Sequence, residues 1–290
     1  MPEDVMQLVI GLPSHISHAP GSSTVQWARR AEQRGFAGLA TIDRLVYESL
    51  DSVVALSAAA GATSQIGLVT NVLLAPLYPA ALLAKQLASV ACIAGGRLTV
   101  GLGVGNRTDD YAAVGVDFGR RGRVLDETAG LLRQAWRAAP VAGDKALCPA
   151  PVRVPILFGG RSEATMRRVV TMGDGWSAGA LRDYENQASF ADRACAAWRA
   201  AGRSGQPRLH ASVNFAFGGE DTVRRGREHL RRYYGFKPDY AALNVADMLT
   251  TPRDAAATVR AYRDLGFDGL VFHPCVETID QVDRLADAVL

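Results

Sequence analysis

The sequence predicts a single (β/α)8 barrel, a TIM barrel of class α/β, that occupies residues 1–290 as one domain. Short apolar runs alternate with amphipathic helical patterns along the whole chain, and this alternation repeats eight times. A length of 290 residues is common for one barrel of eight units. An open, doubly wound sheet is the alternative topology.

The predicted strands are short runs rich in apolar and small residues, and in chain order they cover residues 7–12, 38–42, 66–73, 98–103, 155–158, 175–177, 209–217 and 269–273. Gly35 ends the first helix, and Pro79 begins the third. The predicted helices are residues 24–34, 52–63, 79–92, 122–136, 163–172, 184–201, 221–234, 252–265 and 278–289, of which 221–234 is strongly basic and predicted to present a solvated face. The proline-rich residues 138–155 are predicted to form a long barrel loop and not a linker between domains.

Composition excludes several classes of function. The net charge of +3 argues against a nucleic-acid or anionic-membrane partner, and no apolar run approaches the length of a membrane span. The acidic first residues lack a signal-peptide pattern, which predicts a cytoplasmic protein. The histidines lack metal-ligand spacing, so no metal site is expected. The scattered cysteines are predicted to be free thiols in the core: Cys92, Cys148, Cys195 and Cys275.

Three glycines alternate along the fourth predicted strand and continue just past it. Gly101, Gly103 and Gly105 share one face, which predicts that a flat or bulky group approaches the backbone there. The dinucleotide fingerprint needs a different spacing and a helix directly after it, whereas no helical pattern begins here before about Gly122. A nicotinamide-binding fold is therefore rejected. A strand packed tightly under a helix, with no ligand, is the alternative.

A second glycine turn opens a predicted helix. Gly159 and Gly160 free backbone amides, Ser162 is placed to cap the helix, and Arg161 lies between them. Because a helix amino end attracts anions, this segment predicts a phosphate site. A plain capped helix after a glycine turn is the alternative.

Polar residues end other strands. Asp43 and Arg44 follow the second strand, either as site residues or as a surface ion pair, and Asn71 interrupts the apolar third strand. His15 and His18 lie in the loop after the first strand, where lone histidines are usually exposed. His273 ends the last strand, where it would face the barrel mouth.

Several of these segments together resemble the bacterial luciferase-like flavin-dependent oxidoreductases. The segments that carry the resemblance are residues 67–79, 83–87, 95–98, 101–105, 126–136, 154–163 and 173–176. The resemblance implies a (β/α)8 barrel that binds reduced FMN, or the related deazaflavin coenzyme, at the carboxyl ends of the strands. It also implies a cis peptide bond between Asn71 and Val72 under the flavin ring. The other implied cofactor-binding residues are Gly105 and Asn106 beside the ring, Gly159, Gly160, Arg161 and Ser162 at the phosphate, and Gly179 through its backbone.

The chain departs from this family at one position. Many members have a histidine acid/base where this sequence has Arg44, and arginine stays protonated at neutral pH. Arg44 is instead expected to stabilise negative charge on the flavin or the substrate. Asp43, Arg44 and His15 are the candidate catalytic residues, with His18 and His273 as further candidates for the acid/base.

The resemblance predicts a monooxygenase that uses reduced FMN, supplied by a separate flavin reductase, and O2 to oxygenate a small organic substrate, with an aromatic compound as one candidate. Hydride transfer by the deazaflavin coenzyme is one alternative. A non-catalytic flavin-binding subunit is another, because fold does not fix function. The oligomeric state stays open, with a homodimer as one alternative.

Overall fold

The computed structural model describes residues 6–148 and 152–290, and in these ranges eight parallel strands close into a barrel. The predicted (β/α)8 barrel is therefore confirmed, and the open sheet is wrong. Around the barrel the strands follow the order β1, β2, β3, β4, β7, β8, β9, β10 and return to β1. Their bounds are β1 Gln7–Gly11, β2 Gly38–Thr41, β3 Gly67–Leu73, β4 Leu98–Leu102, β7 Ile156–Gly159, β8 Gly175–Ser177, β9 Arg208–Phe215 and β10 Gly269–Pro274.

Helices surround the barrel and bury their apolar faces against it. Asp51 caps the helix that begins at Ser52 by accepting a hydrogen bond from the Val54 amide, as expected for an acidic residue before a helix. The indole of Trp27, in the first helix, is fully buried in the layer between helices and strands. The helices are α1 Ser23–Gln33, α2 Ser52–Ala62, α3 Ala80–Ile93, α4 Thr108–Val114, α5 Arg121–Trp136, α6 Glu163–Met172, α7 Tyr184–Ala200, α8 Glu220–Tyr233, α9 Pro238–Asp247, α10 Pro252–Asp264 and α11 Asp280–Val289.

Three local predictions are wrong. No helix was expected between β4 and the helix predicted to begin near Gly122, which is α5, but α4 begins at Thr108. It is only two turns long, so its sequence shows little periodicity, and Gly115 ends it with a φ of 69°. Helix α9 was not predicted. The predicted loop 138–155 contains a hairpin, β5 Pro140–Ala142 paired with β6 Lys145–Ala146; its residues 149–151, like residues 1–5, lie outside the described part.

Helix α8 was predicted to present a solvated face. Its outer side is basic, but its inner side is buried. Gly226, His229, Leu230 and Tyr233 are buried against the barrel and its loops. This buried stripe fixes the carboxyl end of α8 over the barrel mouth, where the candidate site lies.

All four cysteines are free, but only two occupy the core positions predicted for them. Cys148 and Cys275 are buried, Cys195 is half-buried and Cys92 is exposed. Among the described residues, none of the helices combines the length and apolar character needed to cross a membrane.

Candidate active site

A cavity of about 380 Å³ opens at the carboxyl ends of the barrel strands. A cavity at this end of a barrel is where such folds place their sites. Most of the predicted site residues line it. They are Asp43, Asn71, Val72, Gly105, Asn106, Gly159, Gly160, Arg161 and Gly179, together with the histidine candidate His273. His15, Arg44 and Ser162 lie outside this lining.

The bulge in β3 forms one side of the cavity. The peptide bond between Asn71 and Val72 is cis, as predicted, and the register of β3 against β4 shifts between Thr70 and Leu73. A Cβ atom on Gly103 would lie 2.6 Å from Cγ2 of Val72. A Cβ atom on Gly101 would lie 2.3 Å from the Thr70 carbonyl oxygen. The neighbouring strand therefore fills the space beside Gly101 and Gly103, so the prediction that a ligand approaches the backbone is wrong for these two glycines, whereas Gly105 lines the cavity.

Three polar side chains from β3, β8 and β10 meet at the floor of the cavity. The Asn71 amide group donates to the Ser177 hydroxyl at 3.0 Å, and its oxygen lies 3.1 Å from Nε2 of His273. Burial holds the pKa of His273 well below its usual value, so the ring is neutral. Because an amide oxygen only accepts, Nε2 of His273 carries the proton and Nδ1 is an unprotonated acceptor.

Asp43 is the acidic group of the cavity wall. Its carboxylate accepts hydrogen bonds from the Leu74 amide at 2.9 Å and from the Tyr78 hydroxyl at 3.1 Å. Burial raises the pKa of Asp43 to about 6, although both hydrogen bonds oppose this shift. A carboxyl group with this pKa exchanges a proton close to neutral pH.

The other two histidine candidates lie away from the cavity. His15 is buried behind the wall, with Nδ1 at 3.2 Å from the Leu12 carbonyl oxygen and its ring 6.0 Å from that of His273. Burial lowers the pKa of His15 to about 4. His18 is exposed and pairs with Glu48 at 3.1 Å. The catalytic role of His15 stays a prediction, and it would have to act through His273 or Tyr233.

Arg44 does not pair with Asp43, in contrast to the surface ion pair considered above. Its Nη1 donates to the carbonyl oxygen of Tyr233 at 2.9 Å, and its guanidinium lies 4.2 Å from the centre of the Tyr47 ring. The nearest carboxylate contact is with Asp109, at 3.9 Å. Arg44 thus ties the loop after β2 to the carboxyl end of α8, next to the cavity.

The predicted phosphate turn has the expected local structure. Gly160 has a φ of +105°, which favours glycine, and a Cβ atom there would lie 2.9 Å from the Thr165 hydroxyl. Ser162 caps α6 by accepting from the Thr165 amide at 3.1 Å. Arg161 pairs with Asp183 at 2.5 Å at the cavity rim. The segment therefore contains both the capped helix start and a glycine turn shaped to receive a phosphate. The two interpretations of the sequence, a plain cap and a phosphate site, are compatible.

The side chains that form the roof of the cavity were not predicted as site residues. Arg107, Tyr233, Tyr234, Phe236, Lys237 and Tyr240 line this side, and most of them come from the end of α8 and the start of α9. The signal that could have found them is the aromatic run Tyr233-Tyr234-Gly235-Phe236 directly after a basic amphipathic helix.

The residues present fit a flavin with a terminal phosphate. The Gly160 turn is a concave surface that a side chain would fill, and it stands at the amino end of α6, where backbone amides and the helix dipole favour an anion. The cavity runs from this turn to the β3 bulge and the Asn71–His273 pair. Among the described residues there is no cluster of side chains arranged to hold a metal ion.

The chain has the features of a cofactor-binding α/β barrel. These are eight closed parallel strands, a glycine turn suited to a phosphate, and a polar cavity floor at the carboxyl ends of the strands. The chain matches the family model described as "Luciferase-like monooxygenase" over residues 6–269, and it belongs to that family.

Relatives of known sequence and structure are consistent with this assignment. The chain is 34% identical over 139 residues to the uncharacterized Mycobacterium tuberculosis protein Rv0940c, a match that covers 43% of this chain and 46% of that protein. The match therefore spans less than half the length of this relative. The fold superposes on monooxygenase RslO1 from Streptomyces bottropensis with a TM-score of 0.81, 20% identity and 98% coverage of both chains. An F420-dependent secondary alcohol dehydrogenase also superposes with a TM-score of 0.81, at 15% identity and 98% coverage of both chains.

Proposed function

We propose that this protein is a flavin-dependent monooxygenase that uses reduced FMN, delivered by a separate flavin reductase, and O2 to oxygenate a small organic substrate. The observation that carries the proposal is one continuous cavity with the Gly160 turn at one end and the Asn71–His273 pair at its floor. Membership of the luciferase-like monooxygenase family supports the reaction class.

Within this proposal, the Gly159–Gly160 turn would hold the phosphate, with Arg161 at the rim and Ser162 as the cap of the helix that follows. Val72 and Gly105 would border the ring, and Asn71 and Asn106 would offer it hydrogen-bonding groups. Reduced FMN, when bound, supplies the two electrons that let one atom of O2 reach the substrate while the other leaves as water.

Asp43 takes the role of the proton-exchanging residue. It lines the cavity, and its pKa of about 6 places it mostly ionised but readily protonated at neutral pH. The neutral His273 holds Asn71 in one orientation. Arg44 and Arg107 fix the roof over the cavity, and this roof excludes water from the reacting groups.

Hydride transfer with the deazaflavin coenzyme is the second candidate function. It is favoured by the likeness to the F420-dependent secondary alcohol dehydrogenase, which superposes as well as the monooxygenase RslO1 does. The deazaflavin reaction needs the same barrel mouth and the same phosphate turn, but it does not use O2.

An anaerobic titration separates these functions. The protein is mixed with reduced FMN and, separately, with the reduced deazaflavin coenzyme, and binding is followed by absorbance and fluorescence. Tight binding of reduced FMN followed by its rapid oxidation on mixing with O2 is the expected result. Binding of the deazaflavin alone would replace the proposal with the second candidate. If reduced FMN binds but reacts with O2 and substrates as it does free in solution, the protein is a non-catalytic subunit. If neither reduced FMN nor the reduced deazaflavin binds, both functions are overturned.

A further inference from the structure

Arg107 is a buried cation at the roof of the cavity. Only 7% of the residue is exposed, yet within the described residues its guanidinium makes no ion pair with a carboxylate. It contacts two aromatic rings and lies 4.8 Å from the centre of Tyr233 and 4.5 Å from that of Phe236. Its Nη2 donates to the Tyr233 carbonyl oxygen at 3.3 Å. Arginine remains protonated, so a charge without a counter-ion is buried here.

The hydroxyl of Tyr233 is a second polar group in the roof without a hydrogen-bond partner among the described residues. The residue is 2% exposed, and it lines the cavity. Burial raises the pKa of Tyr233 to about 12, so the hydroxyl keeps its proton and can donate it to an acceptor. A buried donor without an acceptor costs free energy unless a ligand supplies one.

The roof of the cavity carries more cations than carboxylates, because Arg44, Arg107 and Lys237 stand against Asp109 and Asp110. Arg44 and Arg107 both donate to the carbonyl oxygen of Tyr233, which brings two like charges close together. Lys237 lines the same side of the cavity. The guanidinium of Arg107 lies over the rings of Tyr233 and Phe236, and its buried Nε has no hydrogen-bond partner among the described residues.

We propose that Arg107 and the Tyr233 hydroxyl form a carboxylate-binding subsite, and that the substrate of this protein carries a carboxylate group. A planar guanidinium edge matches the two oxygens of a carboxylate, and a phenol hydroxyl adds a third donor. The subsite belongs to the roof, whereas the phosphate turn is formed by β7 and α6. This inference rests on the proposed function, because it assigns the roof of the same cavity to the substrate.

Benzoate is a suitable probe, with benzamide as its neutral analogue. Binding to the protein saturated with reduced FMN is measured anaerobically by calorimetry. Wild-type protein is expected to bind benzoate and to bind benzamide at least about tenfold more weakly, because a charge-assisted contact is lost. Arg107→Gln is expected to weaken benzoate binding by about tenfold or more. Tyr233→Phe keeps both stacked rings and removes only the hydroxyl, so we expect a loss of about three- to tenfold.

Arg121→Gln is the matched control. Arg121 also stacks on an aromatic ring, at 3.9 Å from the centre of Phe118, and its Nε is also buried without a partner, but it does not line the cavity. This variant should bind benzoate as the wild type does. Far-ultraviolet circular dichroism establishes that each variant is folded.

Several outcomes would overturn the subsite. These are no binding of benzoate by wild-type protein, equal binding of benzamide, or equal benzoate binding by wild type and both cavity variants. A loss of reduced-FMN affinity in Arg107→Gln without a loss of benzoate affinity would assign the arginine to the cofactor instead. Benzoate is also titrated into the cofactor-free protein, so that the subsite is tested independently of the proposed function. Failure of reduced FMN to bind refutes the function, whereas failure of benzoate to bind refutes the subsite.

Discussion

Asn71 and His273, which are far apart in the sequence, meet at the cavity floor with Oδ1 and Nε2 separated by 3.1 Å. Asn71 also donates to Ser177, so its amide joins strands from three parts of the barrel. Since the contact is buried, it fixes both the orientation of the amide and the tautomer of the imidazole.

Asn71→Ala should therefore lower the free energy of unfolding by about 1–3 kcal/mol, because the Nε2–H group of His273 loses its acceptor. Urea unfolding measures this change. Asn186→Ala removes an exposed amide that donates to Asp183 at 2.8 Å, and it should change stability by less than about 0.5 kcal/mol. Equal changes in unfolding free energy for the two substitutions would show that the buried contact stabilises the protein no more than the exposed one does.

Asp43→Asn should change how stability depends on pH. The pKa of Asp43 is raised from 3.8 to about 6 in the folded protein, so between these values the folded state binds more protons than the unfolded state. The wild type therefore loses stability from this group as pH rises from about 4 to 6. The difference in unfolding free energy between the variant and the wild type should shift by about 3 kcal/mol in favour of the variant across this range.

Urea unfolding of both proteins at a series of pH values provides this difference, and contributions from the buried histidines cancel because both proteins contain them. A difference that stays constant between pH 4 and pH 7 would contradict the raised pKa of Asp43.

Ser162→Ala should weaken binding of reduced FMN by about 1–3 kcal/mol and lower stability by about 1 kcal/mol, because the hydroxyl caps α6 directly after the proposed phosphate turn. Thr251→Ala is the matched control, since Thr251 caps α10 by accepting from the Asp254 amide at 3.2 Å, outside the cavity lining. It should show the same loss of stability and unchanged FMN affinity. Equal FMN affinities in both variants would remove Ser162 from the phosphate site.

Gly160→Val should weaken reduced-FMN binding more than Ser162→Ala does. The added side chain would meet the Thr165 hydroxyl and fill the turn, and the φ of +105° is unfavourable for valine. Circular dichroism separates loss of binding from loss of folding, and the anaerobic titration measures affinity. A folded Gly160→Val protein with wild-type affinity would contradict the assignment of this turn to the phosphate.

Arg44→Ala should lower the unfolding free energy by about 1–3 kcal/mol, because a charged donor to the Tyr233 carbonyl and the stacking on Tyr47 are both lost. Arg44→Lys should recover part of this loss, since lysine keeps the charge but not the planar stacking group. In turnover with an identified substrate, the same order of activity is expected: wild type, then lysine, then alanine. The exposed Arg123, paired with Glu127, is the control and should contribute no more than about 1 kcal/mol.

Much of the site could be predicted because it follows the chain locally. The glycines at 159 and 160 and the cap at Ser162 belong to a short segment with a recognisable pattern, and the cis bond between Asn71 and Val72 was predicted from the family resemblance of the segment 67–79. Asp43 and His273 were placed correctly at strand ends because parallel strands bring all their carboxyl ends to one rim. Their site roles stay predictions.

Other features depend on contacts between distant residues and leave no local signal. Gly101 and Gly103 were expected to admit a ligand together with Gly105, but Val72 and the backbone of β3 fill the space beside the first two. Arg44 was weighed as a partner of its neighbour Asp43, but its partner is the carbonyl of Tyr233.

The sequence by itself determined the barrel, since eight repeats of apolar and amphipathic patterns leave few ways to bury every apolar face. It also determined which end of the barrel carries polar residues and glycine turns. Only the tertiary structure decided how those residues combine. Packing of α8 across the mouth brings Tyr233 against Arg44 and Arg107, and barrel closure brings Asn71 against His273. Such pairings arise from burial of side chains distant in sequence, and burial also sets the pKa values of Asp43 and His273.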